Sequence, residues 1–104
     1  MRRISKTKAK KCLVPLFETI TDYHLIMIRN REMAVLMSIN HFASLNSSFD
    51  GMVNIHELRQ RLDDFCDPLL RPLIVRSGRV DVGVIMGYKR YMIAKLGLRV
   101  VSEG

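Results

Sequence analysis

The 104-residue chain holds only two cysteines, Cys12 and Cys66, far apart and at no metal-ligand spacing from a histidine. That excludes a disulfide framework and the usual zinc patterns, and it predicts two reduced, partly buried thiols. No apolar run reaches the roughly 20 residues that span a bilayer. The basic start followed by "CLVPLF" is too short in its apolar part and has no small-residue cleavage site, so a secretory leader is not expected. There is no glycine-rich phosphate loop. His24, His41 and His56 fall on different segments, and Asp63 and Asp64 are adjacent rather than on one helix face. No nucleophile, base and orienting group can be assembled from these residues, so catalytic residues, metal and cofactor are all expected to be absent. His24, set in an apolar stripe, reads as a hydrogen-bonded core or interface residue rather than a ligand. Neither an internal repeat nor a low-complexity segment stands out beyond the basic start.

What is present is an uneven charge. Seventeen Lys and Arg face ten Asp and Glu, a net charge of +7. Residues 1–11 hold Arg2, Arg3, Lys6, Lys8, Lys10 and Lys11 with no acid (+6), residues 12–67 sum to −4, and residues 68–104 to +5. Basic ends around an acidic middle suit a polyanion, because several spread cations each release counterions. Hydrophobic residues make up 48% and charged residues 26%, which suits one folded domain with a modest core.

Periodicity predicts mainly helices. Leu13, Leu16, Phe17, Ile20, His24 and Met27 recur at three- and four-residue steps, giving a helix from about 11 to 29. Met33 through Leu45 is apolar around much of its circumference, giving a buried second helix. "NSSFDGM" breaks it. "VNIHEL" reads as a short strand into an Asn54 cap, with Ile55, Leu58 and Leu62 facing inward on a third helix. Asp67-Pro68 starts a fourth helix ending at Ser77 before Gly78, with a kink expected at Pro72. Residues 79–85 are β-rich, "MGYK" supplies a turn, and Tyr91 and Ile93 lie on a return strand, with Tyr91 packed in the core. "AKLGLRVVSEG" leaves room for a short terminal helix.

In "LIVRSGRVDV" followed by "KRYMIAKLGLRVV", Ile74, Gly78, Val80, Arg90, Tyr91, Ile93 and Gly97 resemble the pattern of MarR-type and related bacterial winged-helix regulators. "REMAVLMSI" and "VNIHELRQRL" are similar to that family's second helix and its entry to the third. The resemblance covers about residues 31–101, with Ala94 where the family usually has Thr. It implies an α+β, mostly α winged helix-turn-helix with an extra N-terminal helix and a two-stranded wing. Residues 1–11 would be a flexible basic tail, 12–104 one domain, and 12–29 the dimerisation helix through Leu13, Leu16, Phe17, Ile20 and Met27.

The function expected on that basis is a homodimeric, DNA-binding transcriptional regulator in the cytoplasm, associated with the nucleoid. The helix around 67–77 would enter the major groove with Arg71 and Arg76, and the wing around 86–90 would contact neighbouring DNA through Tyr88, Lys89 and Arg90. Arg59 and the six cations of the tail would reach phosphates. Arg90 could equally pair with Asp81 across the hairpin. Two alternatives stand beside this reading. One is a winged-helix adaptor binding a protein partner through "DPLLRPLIV"; the other is a non-specific, architectural nucleic-acid binder.

Overall fold

The computed structural model describes residues 2–45 and 47–97, the side chain of Arg2 excepted. Among these residues the chain order is β1 (Arg2–Ser5), α1 (Lys6–Lys11), α2 (Leu13–Thr19), β2 (Tyr23–Ile28), β3 (Arg31–Met37), α3 (Ile39–Ala43), β4 (Gly51–Asn54), α4 (Ile55–Gln60), α5 (Leu62–Phe65), β5 (Leu73–Ser77), β6 (Val80–Gly87) and α6 (Tyr88–Leu96). The strands form one mixed sheet in the order β1-β2-β3-β6-β5-β4. A winged helix-turn-helix is therefore overturned. The element order β-α-α-β-β-α instead occurs twice.

The two halves superpose in register without a gap. Arg2 pairs with His24 and Gly51 with Leu73, so 2→51 and 24→73 are both steps of 49. The same step carries the irregularity after Ile26 onto the one after Val75. It also carries the helix break at Cys12 (φ −120°, ψ 31°) onto that at Arg61 (φ −117°, ψ 33°). Ser5 caps α1 by accepting from the Lys8 N–H at 3.2 Å, and Asn54 caps α4 by accepting from the His56 N–H at 2.8 Å. At the centre β3 and β6 pair antiparallel, and Leu36 opposite Ile85 is a pair that maps onto itself. An approximate two-fold axis thus passes through that pair, perpendicular to the sheet.

Each face of the sheet carries its own core. On one side Ala9, Leu13 and Phe17 with Leu58, Leu62 and Cys66 cover Ile26, Leu36, Val75 and Ile85. On the other, Phe42 and Tyr91 from α3 and α6 cover Leu25, Val35, Met37, Val84 and Met86. Central strands buried on both sides lose the alternation of a half-exposed strand. Residues 34–37 are wholly buried, and such a run cannot be told from a buried helix by periodicity alone. That is why β2 and β3 read as helices.

Several expectations are corrected together. Residues 2–11 are β1 and α1, not a loose tail. The stripe read as a dimer interface lies in the chain's own fold: Leu13 and Phe17 are buried, Leu16 and Ile20 pack beside them, and Met27 lies on β2 against the opposite core. No recognition helix exists at 67–77: a turn at 67–70 leads to buried Pro72 and then to β5. β6 was expected as a strand, but it turns back onto β5 rather than forward. "MGYK" is no turn; Gly87 is the N-cap of α6, and Tyr91 is a buried helical residue. Gly87 lets the chain approach closely, since a Cβ there would lie 2.2 Å from the Pro68 carbonyl oxygen. That oxygen accepts from the Lys89 N–H at 2.9 Å, replacing the absent side-chain cap. α6 ends at Gly97, whose φ of 67° is left-handed. Residues 98–104, including most of the expected terminal helix, lie outside the described residues.

Candidate nucleic-acid interface

Ser5, the last residue of β1, lies beside Met27 near the end of β2, so α1 begins at the same end of the sheet as the β2–β3 turn. Asn54 lies beside Arg76, so α4 likewise begins next to the β5–β6 turn. The central strands run antiparallel, and these two ends are therefore opposite ends of the sheet.

Both turns are two-residue hairpins. Ile28 pairs with Arg31 around Arg29 and Asn30, which both have positive φ (49° and 63°), as a type I′ turn requires. Ser77 pairs with Val80 around Gly78 and Arg79, and only Gly78 has positive φ (63°), which is the II′ form. Arginine in the left-handed region is disfavoured, yet it holds the tip of the first hairpin.

The cations divide into bound and free. Arg3 lies 3.8 Å from Glu32, Arg71 3.5 Å from Asp50 and Arg76 2.6 Å from Asp81. Arg61 bridges Glu57 and Asp64, and Lys6 pairs with Asp63, holding that carboxyl below its usual range. Asp81 is thus taken by Arg76, while the Arg90 Nε donates to the Leu69 carbonyl at 3.0 Å. Among the described residues, Lys8, Lys10 and Lys11 on α1, Arg59 on α4, Arg29, Arg31 and Arg79 at the hairpins, and Lys89 on α6 are exposed and make no ion pair. Lys10 and Arg59 occupy equivalent positions, as do Asn30 and Arg79.

The expected site residues therefore part company. Arg71 and Arg76 precede and lie on β5, Arg59 is on α4, and Tyr88, Lys89 and Arg90 form the first turn of α6. The tail cations are drawn onto β1 and α1, and Arg2 lies on β1 with its side chain outside the description. Arg29, Arg31 and Arg79, absent from the expected set, were readable from "IRNRE" and "RSGRV" had these been taken as hairpin tips.

Both cysteines and His24 are at least partly buried. Cys66 is buried, and burial pushes its thiol up to about 11, so it is protonated and inert. The Cys12 thiol donates to the Lys8 carbonyl. His24 is buried on β2. No group of acidic, cysteine and histidine residues suited to a metal is found among the described residues, and no helix there is long and apolar enough to cross a membrane. No protein-family model, curated protein or solved structure compared with the chain matches it.

Proposed function

We propose that the protein binds duplex DNA as a single chain with two half-site readers, one per half of the fold. The observation that carries this is the two-fold axis through Leu36 and Ile85, which puts a hairpin tip and an adjoining helix with free cations at each end of the sheet. Thirteen residues separate the tips through the Leu36–Ile85 pair, a contour of roughly 40 Å at about 3.3 Å per residue. The longest dimension of the molecule is 39 Å. Half-sites of two-fold proteins are about 34–36 Å apart, one turn of B-DNA. Duplication within one chain supplies the symmetry that an operator demands, without a second copy. Occupying an inverted repeat is the simplest regulatory use of such a protein, in the cytoplasm with the chromosome.

The protein-adaptor alternative loses its support, since within "DPLLRPLIV" Pro72 and Val75 are buried and only Asp67, Leu69 and Arg71 are exposed. Binding-site selection from a random duplex pool, followed by salt titration, tests the proposal. Enrichment of a degenerate inverted repeat with half-sites about 10 base pairs apart is expected, bound by one chain per duplex. Equal binding to all duplexes would replace this reading with a non-specific binder, and no binding at low salt would end it.

A further inference from the structure

The two halves differ where α3 and α6 meet the sheet. In the first half the ring of Tyr23 stacks on His41 at 5.0 Å and lies 5.3 Å from Tyr91, with the Lys95 ammonium 5.4 Å from its centroid. The Tyr91 hydroxyl and His41 Nε2 are hydrogen-bonded at 2.9 Å. The two-fold axis carries Tyr23 onto Pro72, His41 onto Arg90 and Asp22 onto Arg71. A proline ring cannot fill the volume of a tyrosine. At this place in the second half there is a cleft of about 680 Å³, within the 300–1,000 Å³ usual for small-molecule sites.

Its lining has a distinct chemistry. Met86, Ile93 and Ala94 give an apolar floor, while Arg71, Arg90, Ser47 and Ser48 face it with donors. Among the described lining residues one carboxylate is present, Asp50, which lies 3.5 Å from Arg71; both side chains are at least half exposed, so this pair is weak and exchangeable. Arg90, which lines the cleft, is held by its Nε bond to Leu69, and its terminal nitrogens make no hydrogen bond or ion pair to a described residue. The Asp50 N–H donates to the Pro72 carbonyl at 2.8 Å, tying the loop wall in place. A guanidinium fork matches phosphate or carboxylate oxygens two at a time.

We infer that this cleft is a binding site for a small organic anion, a phosphomonoester or carboxylate head on a compact apolar body. The head lies between Arg71 and Arg90 and the body against Met86 and Ile93. Half one cannot bind it, because Tyr23 occupies the equivalent volume and Asp22 would repel the head. The site stands apart from the DNA reading.

Phenyl phosphate is the probe, titrated into the full chain while the methyl resonances of Met86, Ile93 and Ala94 are followed by NMR. Saturable shifts at these methyls are expected, with phenol at least about tenfold weaker because it lacks the charge-assisted bonds. Arg71→Met, at an exposed position, should weaken phenyl phosphate by about tenfold while leaving the melting temperature in place. Pro72→Tyr, restoring the plug of the first half, should abolish the shifts. No saturable shift, equal binding of phenol, or an unchanged response in Arg71→Met would each overturn the inference. So would shifts at Ala9 without shifts at Ile93, which would place the anion on the α1 lysines.

Discussion

The first half of the molecule, residues 2–45, carries eight Lys and Arg against three acids; its image, residues 51–94, carries seven against five. The acids of the second half neutralise Arg61 and Arg76 there, and Asp63 reaches across to Lys6 of the first. Among the described side chains, five free cations remain in the first half, Lys8, Lys10, Lys11, Arg29 and Arg31, against Arg59, Arg79 and Lys89 in the second. The backbone register is common to both halves, whereas the charge is not. Leu13 and Leu62, Val35 and Val84, and Met37 and Met86 are identical buried residues at matched positions, whereas the surface differs. If both ends meet DNA, the first grips harder.

The largest effects belong to the cores. Phe17 rests on Gly83, where a Cβ would come within 2.4 Å of the ring and 2.7 Å of the Met37 carbonyl. Symmetry carries this pair onto Cys66 and Ala34, a smaller side chain facing a larger one. Phe17→Ala should cost about 3–5 kcal/mol, and Cys66→Ala clearly less. Gly83→Ala should cost about 1–3 kcal/mol by overpacking. In the double variant Phe17→Cys with Gly83→Ala, which copies the other half's pair, the Gly83→Ala penalty should shrink to what the Met37 carbonyl contact alone costs. Urea denaturation measures these four and Phe17→Cys alone, and an additive double variant would show that the two positions do not share a site.

Next comes charge. Replacing Lys8, Lys10 and Lys11 together by Ala should flatten the slope of log affinity against log salt by about 0.9 for each phosphate left without its cation. Arg59→Ala should flatten it by about one such step. Equal slopes for the triple variant and the parent would confine recognition to the hairpins or to the second half.

How much of this was legible in the sequence depended on burial. The Asn54 cap, the break within "NSSFDGM" and the inward Ile55, Leu58 and Leu62 are local signals that hold, as does most of the strand read at 79–85, although β4 already begins at Gly51 and the helix expected to carry Leu62 breaks at Arg61. β2 and β3 were lost because both faces of the sheet are covered there, and β5 because Asp67-Pro68 and Gly78 read as the two ends of a helix. The duplication was lost because the halves share apolar character at matched positions far more than residue identity. Tyr91 was correctly placed in a core, yet on a helix: Tyr88, Tyr91 and Met92 already show the three- and four-residue spacing of α6. The basic character of residues 2–11 was plain, but Ile4, Ala9 and Leu13, which fix that segment to the sheet, were too sparse to mark it as structured.

A smaller effect separates the two images of the plug. Burial holds the His41 imidazole below its usual 6.5, outweighing the pull of Asp22 in the other direction, and Lys95 adds to the lowering. The unfolded chain therefore binds this proton more readily than the folded one, and stability falls as pH drops through and below about 6.5 toward the folded value. Arg90 at the equivalent position does not titrate in that window. His41→Gln should flatten the loss of stability between neutral and mildly acidic pH, as read by denaturation at a series of pH values. An unchanged profile would assign the loss to other groups.

The smallest expected effect bears on the hairpin tips. Arg29 has a φ of 49° where its image, Gly78, has 63°. A side chain in the left-handed region costs roughly 1–2 kcal/mol, and glycine relieves this while adding roughly 0.5–1 kcal/mol of unfolded-state entropy. Arg29→Gly should therefore stabilise the protein by only about 0.5 kcal/mol, a rise of a few degrees in Tm for a domain of this size. The same variant should bind duplex DNA more weakly and with a shallower salt slope, because a free cation has left the tip. Gly78→Arg should do the opposite on both counts, losing stability to the left-handed backbone while adding a cation to the weaker half. A variant Arg29→Gly that melts higher and binds DNA as the parent does would show that Arg29 costs stability without contributing to recognition. The hairpin would then have to be removed from the proposed interface.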